Sequence, residues 1–187
     1  MMGFFVDGSY LRKAWQHTSP KAALRFDALR PLVEHECSDT ITVAYWFDAR
    51  LPDGSPHDRQ QAALLRAGFR ANTHYRVAIE PIHDRFGRPV EDPVSKQPLT
   101  TLRQKGVDIG LARAIERSYH ADGWNHLVLS AGDGDFAELV EDLVEREQVT
   151  VTILGTDRTV SLSLRPFIDR LLSLERFTSQ LALLRSA

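Results

Sequence analysis

Leu127-Val128-Leu129-Ser130-Ala131-Gly132-Asp133-Gly134-Asp135-Phe136 is the stretch that decides how this chain folds. Its first three residues are apolar at consecutive rather than alternate positions, the pattern of a short strand buried on both faces. Such strands belong to sheets covered by helices above and below. The run then passes directly into two acids separated by a glycine, and Phe136 opens a helical pattern to Arg146. Two carboxylates therefore stand where a buried strand stops. In open α/β sheets, ligands collect beyond the carboxyl ends of the strands, so this edge is where function is sought.

The same grammar extends in both directions. Phe4 to Val6 and Val149 to Leu154 are further short apolar strands, and Thr40 to Phe47 is a strand rich in β-branched and aromatic residues. Phe69 to Ile79 is a fifth strand region. Between them lie helical patterns from Ser9 to Gln16, from Ala22 to His35 (Leu24, Leu29, Leu32 and Val33 on one side), from Asp58 to Ala67 before Gly68, and from Val107 to Tyr119. This alternation predicts an α/β fold with a mainly parallel sheet between helix layers. The rhythm breaks at 81–104, where Pro81, Pro89, Pro93 and Pro98 predict a loop or hairpin excursion. The C-terminal tail, 175–187, reads as a final helix from Glu175 to Leu184. With no repeat or long linker, 187 residues predict a single domain over 1–187.

Composition excludes several classes. Hydrophobic residues at 43% and charged residues at 26% describe a globular chain rather than a disordered one. A single cysteine, Cys37, rules out an internal disulfide and favours a reducing compartment. The opening Met-Met-Gly-Phe-Phe-Val-Asp lacks the basic lead of a signal peptide, and no apolar run nears the roughly 20 residues that cross a bilayer. A cytoplasmic protein without a membrane partner is the expectation. The net charge of -2 hides an asymmetry: Arg59 to Arg117 holds eleven Lys/Arg against six Asp/Glu, and Ser118 to Asp157 one Arg against nine acids. One half suits phosphates and the other suits metal ions. Glu141, Asp142, Glu145 and Glu147 are equally explained as a solvated helix face.

The acids at the predicted edge come from three separate segments. Asp7 follows Phe4-Phe5-Val6 and precedes Gly8; Asp108 lies in the first turn of the helix after Lys105-Gly106; Asp133 and Asp135 end the stretch quoted above. Each has a purely structural reading. Asp135 caps a helix with Glu138, Asp108 complements a helix dipole, and Asp7 forms a turn with Gly8. Together they favour a metal centre, because several clustered carboxylates repel unless a cation neutralises them. Oxygen ligands without a companion His or Cys suit Mg²⁺ or Mn²⁺ rather than Zn²⁺.

Phe5-Val6-Asp7-Gly8-Ser9, Lys105-Gly106-Val107-Asp108 and Ser130-Ala131-Gly132-Asp133-Gly134-Asp135-Phe136, in this order, resemble the NYN domains, the LabA-like branch of the PIN-like nucleases. The resemblance covers nearly the whole chain. It implies a three-layer α/β/α fold and cleavage of RNA with divalent metal held by aspartates, which fall on Asp7, Asp108, Asp133 and Asp135. Lys105 matches the lysine common before the Gly-Val-Asp element. The chain departs from the family at Tyr10, where asparagine is usual and supports the metal site, and at Ala131 and Gly134, where serine is frequent.

The chemistry expected is hydrolysis of RNA phosphodiesters at an Mg²⁺ or Mn²⁺ centre, with Asp7 and Asp133 the leading direct ligands. Lys105 and Arg103 are candidates to hold the substrate phosphate, with Ser9 and Tyr10 beside them. Arg76, Arg85, Arg88 and Lys96 offer a phosphate track, with Tyr75 or Phe86 for stacking. Asp157 is read as a turn residue. The alternative is a catalytically weak or inactive nucleic-acid-binding module on the same fold. A dehalogenase-type phosphatase would need an acid at position 9, which Ser9 occupies. The tail residues Leu181, Leu183 and Leu184 pack either on the chain's own core or on a second copy in a homo-oligomer.

Overall fold

A computed structural model describes residues 1–49 and 57–183, apart from the side chains of His57, Asp58, His74, Arg76, Leu102, Arg103 and Gln104. In chain order the first half contains β1 (Met2–Asp7), α1 (Gly8–Thr18), β2 (Ala23–Leu24), α2 (Phe26–Cys37), β3 (Ile41–Ala49), α3 (His57–Arg66) and β4 (Arg70–Pro81). The second half contains β5 (Thr100–Lys105), α4 (Val107–Asp122), β6 (His126–Ser130), α5 (Ala137–Glu145), β7 (Thr150–Gly155), β8 (Arg170–Ser173), α6 (Thr178–Leu181) and β9 (Ala182–Leu183).

The main sheet has seven strands in the order β5-β4-β3-β1-β6-β7-β8. All neighbours pair parallel except β4 and β5. β1 lies centrally because both its faces are apolar. Phe4 and Val6 enter one core with Leu11 of α1, Leu29 of α2 and Leu64 of α3. Phe5 enters the other with Leu111 and Ile115 of α4 and Val140 of α5. Each such side chain, fully buried, contributes roughly 1.5–3 kcal/mol of transfer free energy. This is the expected three-layer α/β/α architecture. Trp15, Trp46 and Trp124 are all buried in it.

From β1 the chain builds outward through β3 and β4, then returns to fill β6, β7 and β8 on the other side. The order reverses between β1 and β6, and a crevice opens at their carboxyl ends. Register sets the level of that edge, with Val6 opposite both Trp46 and Ser130. Asp7 and the segment after Ser130 thus leave the sheet side by side.

Three local expectations differ from the structure. The helix expected from Ala22 starts only at Phe26, because Ala23 and Leu24 pair antiparallel with Leu183 and Ala182. That pairing also ends the predicted tail helix. Helix α6 closes at Leu181, whose carbonyl accepts from Arg25 N–H at 2.9 Å, and Ala182–Leu183 continue as strand. Leu184 lies outside the described residues. In the 81–104 excursion, Thr100–Lys105 is an antiparallel edge strand on β4, leaving 82–99 as the excursion proper. As an edge strand it needs no continuous apolar face, so it carried no strand signal.

Candidate active site

Asp7 ends β1 and caps α1. Its Oδ1 accepts the N–H groups of Ser9 at 2.8 Å and Tyr10 at 3.1 Å. Gly8 is required by space rather than by turning. A Cβ there would stand 2.7 Å from Trp46 Cε2 and 2.9 Å from Asp48 Oδ2. Burial pushes the Asp7 carboxyl up to about 6; the negative charges of Asp108 and Asp48 push the same way, and the two N–H donors only partly oppose them.

Asp133 caps the short 3₁₀ turn Gly134–Phe136, with Oδ1 accepting Asp135 N–H at 3.1 Å. Helix α5 itself has Phe136 at its N-cap and no side-chain cap, so Asp135 does not cap it. Asp108 sits in the first turn of α4 behind Gly106, whose φ of 79° needs glycine. Partial burial raises the Asp108 carboxyl, and so do Asp133 and Asp135. Asp7 thus feels Asp108, and Asp108 feels Asp133 and Asp135: the three segments meet at one edge. None of the four pairs with a Lys, Arg or His among the described residues. Other acids do, Asp157 with Arg165 at 3.0 Å being one.

The remaining candidates have local partners. Lys105 pairs with Glu80 across the β4–β5 hairpin. The side chain of Arg103 lies outside the described ones, as does that of Arg76. Ser9 is half-buried. Tyr10 directs its hydroxyl to Thr159 Oγ1 at 2.8 Å, and its ring lies beside Gly132, where a Cβ would stand 2.5 Å from Cε2. Tyr10 therefore braces the segment carrying Asp133 from below.

Sequence reasoning passed over Asp48. It follows the apolar run of β3 as Asp7 follows that of β1, and that was the signal available. It is 1% exposed and gripped by both arms of Arg12, Nη2 to Oδ1 at 2.9 Å. Asp48 thus adds a fixed negative charge next to Asp7.

Carboxylate oxygens alone, crowded and without cationic partners, are the donor set of a hard divalent ion. No three His, Cys, Asp or Glu among the described residues are grouped closely enough to enclose an ion by themselves. The residues fit Mg²⁺ or Mn²⁺ held by one or two carboxylates directly and by the others through water, the usual manner for Mg²⁺.

Aspartates from three segments thus stand at the switch point of a mainly parallel α/β sheet. The chain belongs to the NYN domain family, which matches residues 2–175, and NYN domains are part of the PIN-like nuclease superfamily. Within it the chain lies in the LabA-like branch. It is 24% identical over 182 residues to the Low amplitude and bright protein LabA of Synechococcus elongatus, covering 95% of this chain and 86% of that protein. A crystal structure of a protein of unknown function from Vibrio parahaemolyticus is similar over 97% of this chain and 95% of that one, with a TM-score of 0.64 and 20% identity. That likeness shows the fold. No helix among the described residues is long and apolar enough to cross a membrane.

Proposed function

We propose that this chain is a metal-dependent ribonuclease that hydrolyses RNA phosphodiester bonds at the edge formed by Asp7, Asp108, Asp133 and Asp135. The observation that supports the reading is that Asp108 lies within electrostatic reach of Asp7 on one side and of Asp133 and Asp135 on the other, with no cationic partner for the four among the described residues. An uncompensated cluster of this kind lowers stability unless a cation joins it. Asp7 and Asp133 are the residues proposed to hold Mg²⁺ or Mn²⁺ directly, with Asp108 and Asp135 bound directly or through water. When bound, the ion acidifies a water and stabilises negative charge on the leaving oxygen.

The chain's own groups supply positioning. The Ser9 and Tyr10 N–H groups hold Asp7 Oδ1 and leave Oδ2 without a hydrogen bond of its own from them. The Tyr10 ring and the Thr159 carbonyl pack closely on Gly132, next to Asp133. Lys105, exposed and three residues before Asp108 in the chain, is available to a substrate phosphate in exchange for Glu80. The test is incubation of labelled RNA with Mg²⁺, Mn²⁺ or EDTA. Cleavage with metal, none with EDTA, and at least a hundredfold loss in Asp7→Asn are expected. Full activity in that variant would refute the assignment, and binding without cleavage would leave an RNA-binding module instead.

A further inference from the structure

We infer that the groove between α4 and strands β3 and β4 is a track for single-stranded RNA leading to Asp108. The inference rests on the nuclease reading and gives that site its strand path. The groove has a volume of about 580 Å³, in the range of built ligand sites, and runs along α4 from Gly106, two residues before Asp108, to Asp122. It therefore opens at the proposed active edge rather than at a separate face.

Its chemistry matches a nucleic-acid strand. Arg113 and Arg117 stand one helical turn apart on the α4 wall, both exposed. Neither has a hydrogen-bond or ion-pair partner among the described residues, whereas Arg12, Arg25, Arg88, Arg146, Arg165 and Arg170 each pair with an acid. Arg70, on the opposite wall, lies 5.4 Å from the centroid of the Tyr45 ring and donates to its hydroxyl at 2.9 Å. Among the described residues the only acid lining the groove is Asp122, at the end away from Asp108.

Half-buried Tyr45 and Tyr75 set aromatic surface into the groove below the level of the arginines. Tyr45 is stacked on Phe5, centroids 5.3 Å apart and planes within 10°, so the surface is rigid. Cations at the rim with aromatic rings beneath are the arrangement that takes backbone phosphates above and unpaired bases below. Bases inside a duplex are already stacked on each other and do not reach such a surface.

The test is binding of a short fluorescein-labelled oligouridylate, followed by anisotropy in EDTA so that no cleavage occurs. Arg113→Ala/Arg117→Ala is expected to weaken binding roughly tenfold or more and to lower the salt slope by about 1.4, two single-strand phosphate contacts. The matched change Lys21→Ala/Arg66→Ala, in the turn after α1 and at the end of α3, away from the groove, is expected to leave both within about twofold. An RNA duplex of the same length should bind more weakly than the single strand. Equal affinity in the two paired variants, no binding by the unaltered protein, or preference for the duplex overturns the inference. Because the measurement needs no chemistry, its outcome is distinct from the cleavage assay. Groove-dependent binding without Mn²⁺-dependent cleavage sinks the nuclease reading alone.

Discussion

Asp7 carries two tasks that pull against each other. As a cap it stabilises α1 through Oδ1, and as a buried carboxylate near Asp108 and Asp48 it resists ionisation. An acid whose folded pKa lies above its unfolded value costs stability as the pH rises. The cost grows between about pH 4 and 6 and is complete above about 6. For a rise to about 6, the penalty is on the order of 3 kcal/mol. Asp7→Asn keeps an oxygen for the cap and removes the charge. In metal-free protein at about pH 8 it should therefore raise the melting temperature, with the gain fading as the pH falls toward 4. Equal or lower stability at every pH would mean that the carboxylate is not strained.

At the scale of elements, two ties hold the site together. Arg12 and Asp48 join α1 to β3, and Tyr10 with Thr159 joins α1 to the segment after β7. The acid of the first tie is almost wholly enclosed, so Arg12→Ala removes charge-assisted hydrogen bonds from a buried carboxylate and should cost roughly 1.5–3 kcal/mol in denaturant unfolding. A loss below about 0.5 kcal/mol, the level of an exposed pair, would show that Asp48 has other sufficient support. The second tie is a neutral hydrogen bond, and Tyr10→Phe should cost only about 1 kcal/mol. Any fall in cleavage should come through the lost tie to Thr159 alone, because the ring against Gly132 is kept. Unchanged cleavage in Tyr10→Phe would limit the tyrosine to packing through its ring.

At the scale of the molecule, the sheet order places β1 and β6 on either side of the reversal, so the acids come together only when the whole sheet forms. Cation binding and folding are then linked. Millimolar Mn²⁺ should raise the melting temperature of the unaltered protein and should do so far less for Asp7→Asn/Asp133→Asn. An equal shift in both would place ion binding elsewhere.

How much of this was legible in the chain follows from the kind of signal each part carries. Asp7, Asp133 and Asp135 directly follow buried apolar runs, and their position at strand ends is a one-dimensional pattern. Asp108 was readable only within Lys105-Gly106-Val107-Asp108, since an acid in a first helical turn is otherwise ordinary. Asp48 showed the same strand-end pattern without a following glycine and was passed over. Thr100–Lys105 gave no strand signal because its partner, β4, supplies the pairing from outside. Arg113 and Arg117 look like solvated helix charges until β3 and β4 are set opposite them.

The order of residues by itself determined the layered α/β fold, the parallel sheet and the acids at its edge. These depend on apolar periodicity and on neighbours in sequence, which the chain carries locally. Only the tertiary structure decided that β2 and β9 pair, that Arg12 enfolds Asp48, that Tyr10 reaches Thr159, and that an arginine-lined groove runs along α4 to Gly106. Those contacts join residues far apart in the chain, and their energy exists only after the sheet has brought the partners within reach.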